Sequence, residues 1–125
     1  MAERSDLQTP EEYFEGHPEA LKIFRWVRRT VEATGPATIG VSRSEVAFRR
    51  RRGFAWLWMP GRWLRDPAAE VVLSFALPRR DRSPRLKEVV EPRPGLWMHH
   101  LEVHDPDEMD DEVSEWLREA FEAAS

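Results

Sequence analysis

The spacing of apolar residues changes near residue 37 and divides the chain into segments of different secondary structure. Before this point, apolar side chains recur every three or four positions, which predicts an amphipathic helix. His17-Pro18 is expected to begin this helix and Gly35-Pro36 to end it. Upstream, Thr9-Pro10-Glu11-Glu12 combines a capping residue, a proline and two acids, and predicts a short helical turn.

From residue 37 the apolar period becomes two, which is typical of strands. The candidate strands are residues 37–42, 45–50, 54–59, 70–77, 86–91 and 96–104. Connections such as residues 51–53 and 92–95 are too short for crossovers, so neighbouring strands should be antiparallel. In the third strand, alternation places Phe54, Trp56 and Trp58 on one face.

The last apolar stripe predicts a second amphipathic helix. Asp105-Pro106-Asp107-Glu108 is expected to begin it, because it supplies a cap, a first-turn proline and carboxylates near the positive helix end. The order of elements is therefore two helices, about five or six strands and one helix. This order predicts an α+β fold, a curved antiparallel sheet with the N-terminal and C-terminal helices packed on one face.

Composition narrows the class of protein. The 125 residues are enough for one domain spanning residues 1–125, with residues 1–9 as a flexible arm. The chain has no cysteine, which excludes disulfides and thiolate metal sites. It has no apolar run of about 18 residues and its start does not resemble a signal peptide, so we expect a cytoplasmic protein without membrane contact. No motif implies a cofactor.

Charge is distributed unevenly along the chain. The net charge is −2 in residues 1–35, +7 in residues 36–95 and −9 in residues 96–125. We expect the basic and acidic segments to satisfy each other within one fold, although separate faces for different partners are the alternative. Residues 78–85 contain no apolar side chain other than proline and are predicted to form an exposed, mobile, positive loop. Seventeen of the nineteen basic residues are arginine, a bias that a GC-rich genome also produces.

Four consecutive arginines, Arg49, Arg50, Arg51 and Arg52, suggest a nucleic-acid-binding hairpin as one function. Neighbouring aromatic residues could stack on bases. In a strand, however, alternation directs two of the four side chains to each face, and charges at a hairpin tip also protect a sheet edge from aggregation.

Histidines in the final strand suggest other chemistry. His100, Glu102 and His104 share one face and have the ligand types of a divalent metal site, but same-face residues stand about 7 Å apart, so we predict no metal. His99 lies on the opposite face, where a buried histidine bonded to polar groups is expected. No nucleophile motif is present, and the acids of the last helix are typical of a solvated face, so catalysis has little support.

Several stretches of this sequence resemble a bacterial family known only as a domain of unknown function, numbered fifty-six fifty-five and common in actinobacteria. The stretches are residues 14–20, 41–56, 87–90, 97–100 and 116–121. The resemblance covers roughly residues 13–122 and implies no reaction, cofactor or catalytic residue. Relatives more often have lysine where Arg43 stands, and the exchange keeps the charge.

The polar residues of these stretches lead to a hypothesis of a small, non-enzymatic binding domain. Its anion-accepting pocket would lie on the sheet and would be formed by Arg43, Ser44, Trp56, Trp58, Lys87, His99 and His100. A protein-interaction module, monomeric or homodimeric, is the other alternative, with Trp63 either folding back as a lid or contacting a partner.

Overall fold

In a computed structural model, residues 8–125 are described and form an open α+β fold. Residues 1–7 of the predicted flexible arm lie outside the described residues. The helices are α1 (Pro10–Tyr13), α2 (Pro18–Thr34) and α3 (Asp111–Ala123). The strands are β1 (Thr38–Val41), β2 (Val46–Arg49), β3 (Gly53–Trp58), β4 (Val71–Leu77), β5 (Glu88–Arg93) and β6 (Leu96–Val103).

All six strands form one antiparallel sheet in the order β1-β2-β3-β4-β6-β5. The sheet does not close on itself, so β1 and β5 are its edges. This architecture confirms the fold class predicted from the change of period. β4 lies near the middle and is buried along its whole length, because helices cover one face and large side chains flank it on the other.

The helices pack on one face of the sheet. Phe24 of α2 lies against Phe48 of β2, with 6.0 Å between ring centroids. Trp116 of α3 stacks on Phe75 of β4 at 5.1 Å. Phe54 also belongs to this layer, since its ring meets that of Phe121 edge to face at 5.7 Å. Its predicted place beside Trp56 and Trp58 was wrong, because an irregularity in the pairing of β2 with β3 breaks the alternation at this point.

Side chains cap the N-termini of α1 and α3, and the sequence predicted the first of these caps but not the second. Thr9 and Glu12 form the reciprocal hydrogen bonds of a capping box at α1, as expected. The predicted start of the last helix at Asp105 was wrong. Asp105 instead caps one short 3-10 turn, and Met109 returns to an extended conformation and is buried. Asp110, five residues after Asp105, caps α3 by accepting a hydrogen bond from the Val113 N–H.

Residues 78–85 are anchored to α3 by polar contacts. Asp81 accepts a hydrogen bond from Nε1 of Trp116 at 3.0 Å. Arg79 donates two hydrogen bonds to Glu119, each 2.8 Å long. Burial alone would raise the pKa of Asp81. This pKa is held below its usual value by hydrogen bonds from the Ser83 N–H, Trp116 and Arg79. Basic and acidic segments therefore meet within the fold here, as the charge distribution predicted.

No helix within residues 8–125 combines the length and the apolar character needed to cross a bilayer.

Candidate functional site

The face of the sheet opposite the helices carries a row of polar and aromatic side chains. Ser74 of β4 is paired with Trp56 of β3 on one side and with His100 of β6 on the other. Neighbouring strands lie about 4.8 Å apart, so these three residues form a line across the centre of the sheet. Trp58 follows Trp56 on the same face, two positions along β3.

These side chains surround a cavity of about 320 Å³. The cavity is lined mostly by apolar surface. Its lining residues come from β3, β4, β6, the β1–β2 turn and the loop after β3: Ser44, Glu45, Trp56, Trp58, Trp63, Ser74, Met98 and His100.

A chain of hydrogen bonds fixes part of the cavity wall. Trp58 Nε1–H donates to Ser74 Oγ at 3.0 Å, and Ser74 Oγ lies 2.7 Å from His100 Nδ1. The indole can only donate and the serine has one proton, so both groups are satisfied when Ser74 donates to Nδ1. This assignment puts the proton of His100 on Nε2. Burial lowers the pKa of His100, which therefore stays neutral near pH 7.

Glu45 is the one residue with a formal charge near pH 7 that lines the cavity. Within residues 8–125, no Arg, Lys or His side chain forms an ion pair with its carboxylate. Burial raises the pKa of Glu45. The cavity thus combines aromatic walls with one unpaired acid.

Four of the seven residues expected in a sheet pocket meet at this cavity: Ser44, Trp56, Trp58 and His100. Arg43 is exposed on the β1–β2 turn and does not line it. Lys87 precedes the edge strand β5 and its ammonium group lies 3.6 Å from a Glu102 carboxylate oxygen. The two predicted cationic residues therefore lie outside the cavity.

His99, the remaining expected pocket residue, is fully buried on the helix side of the sheet. Its Nε2 accepts a hydrogen bond from the Asp81 N–H at 2.9 Å, and Nδ1 lies 3.1 Å from the Trp97 carbonyl oxygen. The ring stacks on Phe75 at 5.0 Å. His99 is thus the hydrogen-bonded core histidine that its strand face predicted.

The run Arg49–Arg52 lies against the C-terminal end of α3. Arg50 donates to the Phe121 carbonyl and Arg52 to the Ala123 carbonyl, both at 2.8 Å. A guanidinium at these carbonyls stabilises the negative end of the helix dipole. Two of the four arginines are therefore engaged within the fold.

The possible metal ligands on β6 do not converge. Within residues 8–125, no three His, Asp or Glu side chains are placed to hold a metal ion together. His100 is bonded to Ser74, Glu102 pairs with Lys87, and His104 lines a different cleft.

That second cleft, of about 460 Å³, lies at the start of α2. His17 Nδ1 and a Glu70 carboxylate oxygen are 2.7 Å apart there. Arg62 donates to the Tyr13 and Arg43 carbonyls. Because these polar groups satisfy one another, the cleft offers less to a ligand than the tryptophan-lined cavity does.

Sequence reasoning missed Ser74, Glu45 and Met98 as lining residues, and named Trp63 only as a lid or a partner contact. Ser74 had a signal, since it is the one polar residue within the apolar run Val71–Leu77. Such a residue needs a partner when buried, and the partners here are Trp58 and His100. Glu45 had no comparable signal, because its direction depends on the turn before it.

The fold and site define a small α+β domain with a helix layer on one side of an antiparallel sheet and a tryptophan-lined cavity on the other. No curated protein and no solved structure shows significant similarity to the chain. Residues 10–124 match the family described as Domain of unknown function (DUF5655), and the chain belongs to this family.

Proposed function

We propose that the protein is a small-molecule binding domain that holds its ligand in the cavity on the open face of the sheet. The observation that carries this proposal is the meeting of three tryptophans with a fixed Ser74–His100 pair around about 320 Å³. Ligand sites are concave and mostly apolar, with a few convergent polar groups, and begin at about 300 Å³. The cavity fits that description.

Binding rather than catalysis is supported by the state of Ser74. Its hydroxyl accepts from Trp58, is bonded to His100 and is almost fully buried. A serine held in this way positions the two rings around it. We therefore assign the pair to shaping the cavity.

The test uses the neutral probe p-cresol and the six tryptophans of the chain. Indole N–H signals in ¹H–¹⁵N spectra report on each of them separately. We expect the probe to shift the signals of the cavity residues Trp56, Trp58 and Trp63. The signals of Trp26, Trp97 and Trp116, which do not line the cavity, should not move.

A matched pair of variants makes the test specific. Trp58→Phe shortens the cavity wall and removes the donor to Ser74, so p-cresol affinity should fall. Trp97→Phe makes the same substitution outside the cavity and should leave affinity unchanged. Equal shifts at all six indoles, or no shift at the three cavity indoles up to the solubility limit of p-cresol, would rule the proposal out.

We also infer a cytoplasmic protein of bacterial, actinobacterial type. The absence of cysteine is consistent with a reducing compartment, and the preference for arginine over lysine is typical of GC-rich genomes.

A further inference from the structure

The side chain of Glu45 is directed by a tightly bonded turn. Ser42 N–H donates to the Glu45 carbonyl at 2.9 Å, and the Glu45 N–H donates to Ser42 Oγ at 3.3 Å. These bonds fix the backbone of Glu45 on both sides. Its carboxylate, on the wall of the cavity, remains available to a ligand.

Among the residues that the structure describes, no cationic side chain pairs with this carboxylate. The Arg62 guanidinium lies over the Tyr13 ring at 4.3 Å and donates to main-chain carbonyls instead of pairing with Glu45. Burial raises the pKa of Glu45, and no neighbouring cation lowers it. A partly buried acid without a cationic partner favours a positively charged ligand, because a cation offsets the cost of its desolvation more fully than a neutral donor does.

The aromatic walls favour the same charge. Indole faces carry negative electrostatic potential and attract cations placed over them. Within residues 8–125, the indoles of Trp56, Trp58 and Trp63 do not stack on other aromatic rings, and all three residues line the cavity.

The scarcity of hydrogen-bond acceptors selects among cations. A primary ammonium presents three donors and a guanidinium five, and each needs an acceptor when it leaves water. Besides the His100 ring, whose Nδ1 is bonded to Ser74, the cavity offers one carboxylate and two hydroxyls, one of them already engaged, and most of its surface is apolar. A fully alkylated ammonium has no N–H to satisfy and presents methyl groups to the indoles.

We propose that the cavity binds a small quaternary ammonium ion, with Trp56, Trp58 and Trp63 around its methyl groups and Glu45 as its counter-charge. This inference rests on the proposed function and specifies the ligand class of the same site.

The test compares choline with 3,3-dimethylbutan-1-ol, which has the same shape but no charge. Titrations at pH 8 keep Glu45 ionised, and the indole N–H signals of the three cavity tryptophans give both affinities. We expect choline to bind about tenfold more tightly than the alcohol, the size of a cation–π and ion-pair preference. Acetate, the anionic probe, should not shift these signals.

Two charge-neutralising variants serve as a matched pair. Glu45→Gln should lower the preference for choline from about tenfold to about threefold, since the counter-charge is lost while the cation–π contacts of the indoles remain. Glu32→Gln removes one exposed acid from α2, in the helix layer, and should keep the full preference. The affinity for p-cresol should be the same in both variants and in the parent, which shows that the cavity is intact.

The outcomes separate the two proposals. Equal binding of choline and the alcohol, or a preference for choline that is undiminished in Glu45→Gln, would overturn the quaternary ammonium assignment and leave the p-cresol result standing. Binding of acetate at the cavity tryptophans would also overturn it, in favour of an anionic ligand. Failure of p-cresol to reach the cavity tryptophans contradicts the proposed function itself.

Discussion

Arg50 contacts Phe121 twice, through the backbone and through the ring. Its Nη1 donates to the Phe121 carbonyl at 2.8 Å, and its guanidinium carbon lies 4.0 Å from the centroid of the phenyl ring. The two residues are 71 positions apart in the sequence. One side chain thus joins the β2–β3 turn to the last turn of α3.

Replacement of Arg50 should therefore destabilise the fold. Arg50→Ala removes a charged hydrogen bond and a cation–π contact, and we expect a loss of about 1–3 kcal/mol in the free energy of unfolding. Arg51→Ala is the matched control. Within the described residues, the Arg51 side chain forms no hydrogen bond to α3, and its backbone N–H, which donates to the carbonyl of the C-cap Ala124, is kept in the variant. Urea denaturation measures both. Equal losses in the two variants would show that the contact contributes nothing specific.

The engagement of Arg50 and Arg52 also sets an expectation for nucleic acids. With two guanidiniums bonded to α3 carbonyls, the run Arg49–Arg52 can offer about two free charges to phosphates. Duplex binding through this run, measured by fluorescence anisotropy, should then weaken with salt at a log–log slope no steeper than about −2. A slope near −4 that falls by about one with each Arg→Ala change in the run would mean that all four arginines reach phosphates, and would support the nucleic-acid alternative.

Trp63 and Leu64 distinguish a ligand wall from a protein interface. Both side chains are 58% exposed, but only Trp63 lines the cavity. Trp63→Ala should weaken p-cresol binding, while Leu64→Ser should not. Because both side chains are exposed, each substitution should change the free energy of unfolding by no more than about 0.5 kcal/mol. Sedimentation velocity should give the same species for both variants and the parent. A dimer that dissociates in both variants would instead identify this loop as an interface.

The burial of His99 predicts a loss of stability in mild acid. Burial lowers the pKa of His99 in the folded state, while the unfolded chain has a value of about 6.5. The neutral form of His99 contributes fully to the free energy of unfolding above pH 6.5. As the pH falls below this value, the unfolded state takes up the proton first, and this contribution is lost. Protonation would also remove the acceptor of the Asp81 N–H.

The free energy of unfolding should therefore fall by up to about 1.4 kcal/mol per pH unit below pH 6.5 on account of His99. Urea midpoints between pH 7.5 and 5 measure this slope. His99→Gln should reduce it to the part that His100 contributes, whose pKa burial also lowers, whereas His104→Gln, which replaces an exposed histidine, should not change it. An unchanged slope in His99→Gln would contradict the assignment.

The sequence predicted the elements better than the contacts between them. The change of period at residue 37 and the short connections were enough for the antiparallel sheet and its helix layer, because both follow from local geometry. Asp105 and Asp110 are both good caps, and the burial of Met109 between them decides which one begins α3.

The candidate site was predictable only where a residue shares a strand face with its neighbours. The alternation of side chains along each strand correctly predicted the sheet face of Trp56, Trp58 and His100. The pairing register of the strands, which the sequence did not predict, brings these residues together. Arg43 follows β1 and Lys87 precedes β5, so the neighbouring turn sets the direction of each side chain. The alternation of apolar residues therefore could not predict whether these two side chains meet.

The position of α3 has a consequence for the timing of folding. Trp116, Leu117 and Phe121 cover the centre of the sheet, and they belong to the last fifteen residues of the sequence. Until a ribosome has released this helix, the strands emerging before it expose an uncovered apolar face. The domain therefore completes its fold only after α3 has been made, and chains interrupted before residue 111 should depend on chaperones to stay soluble.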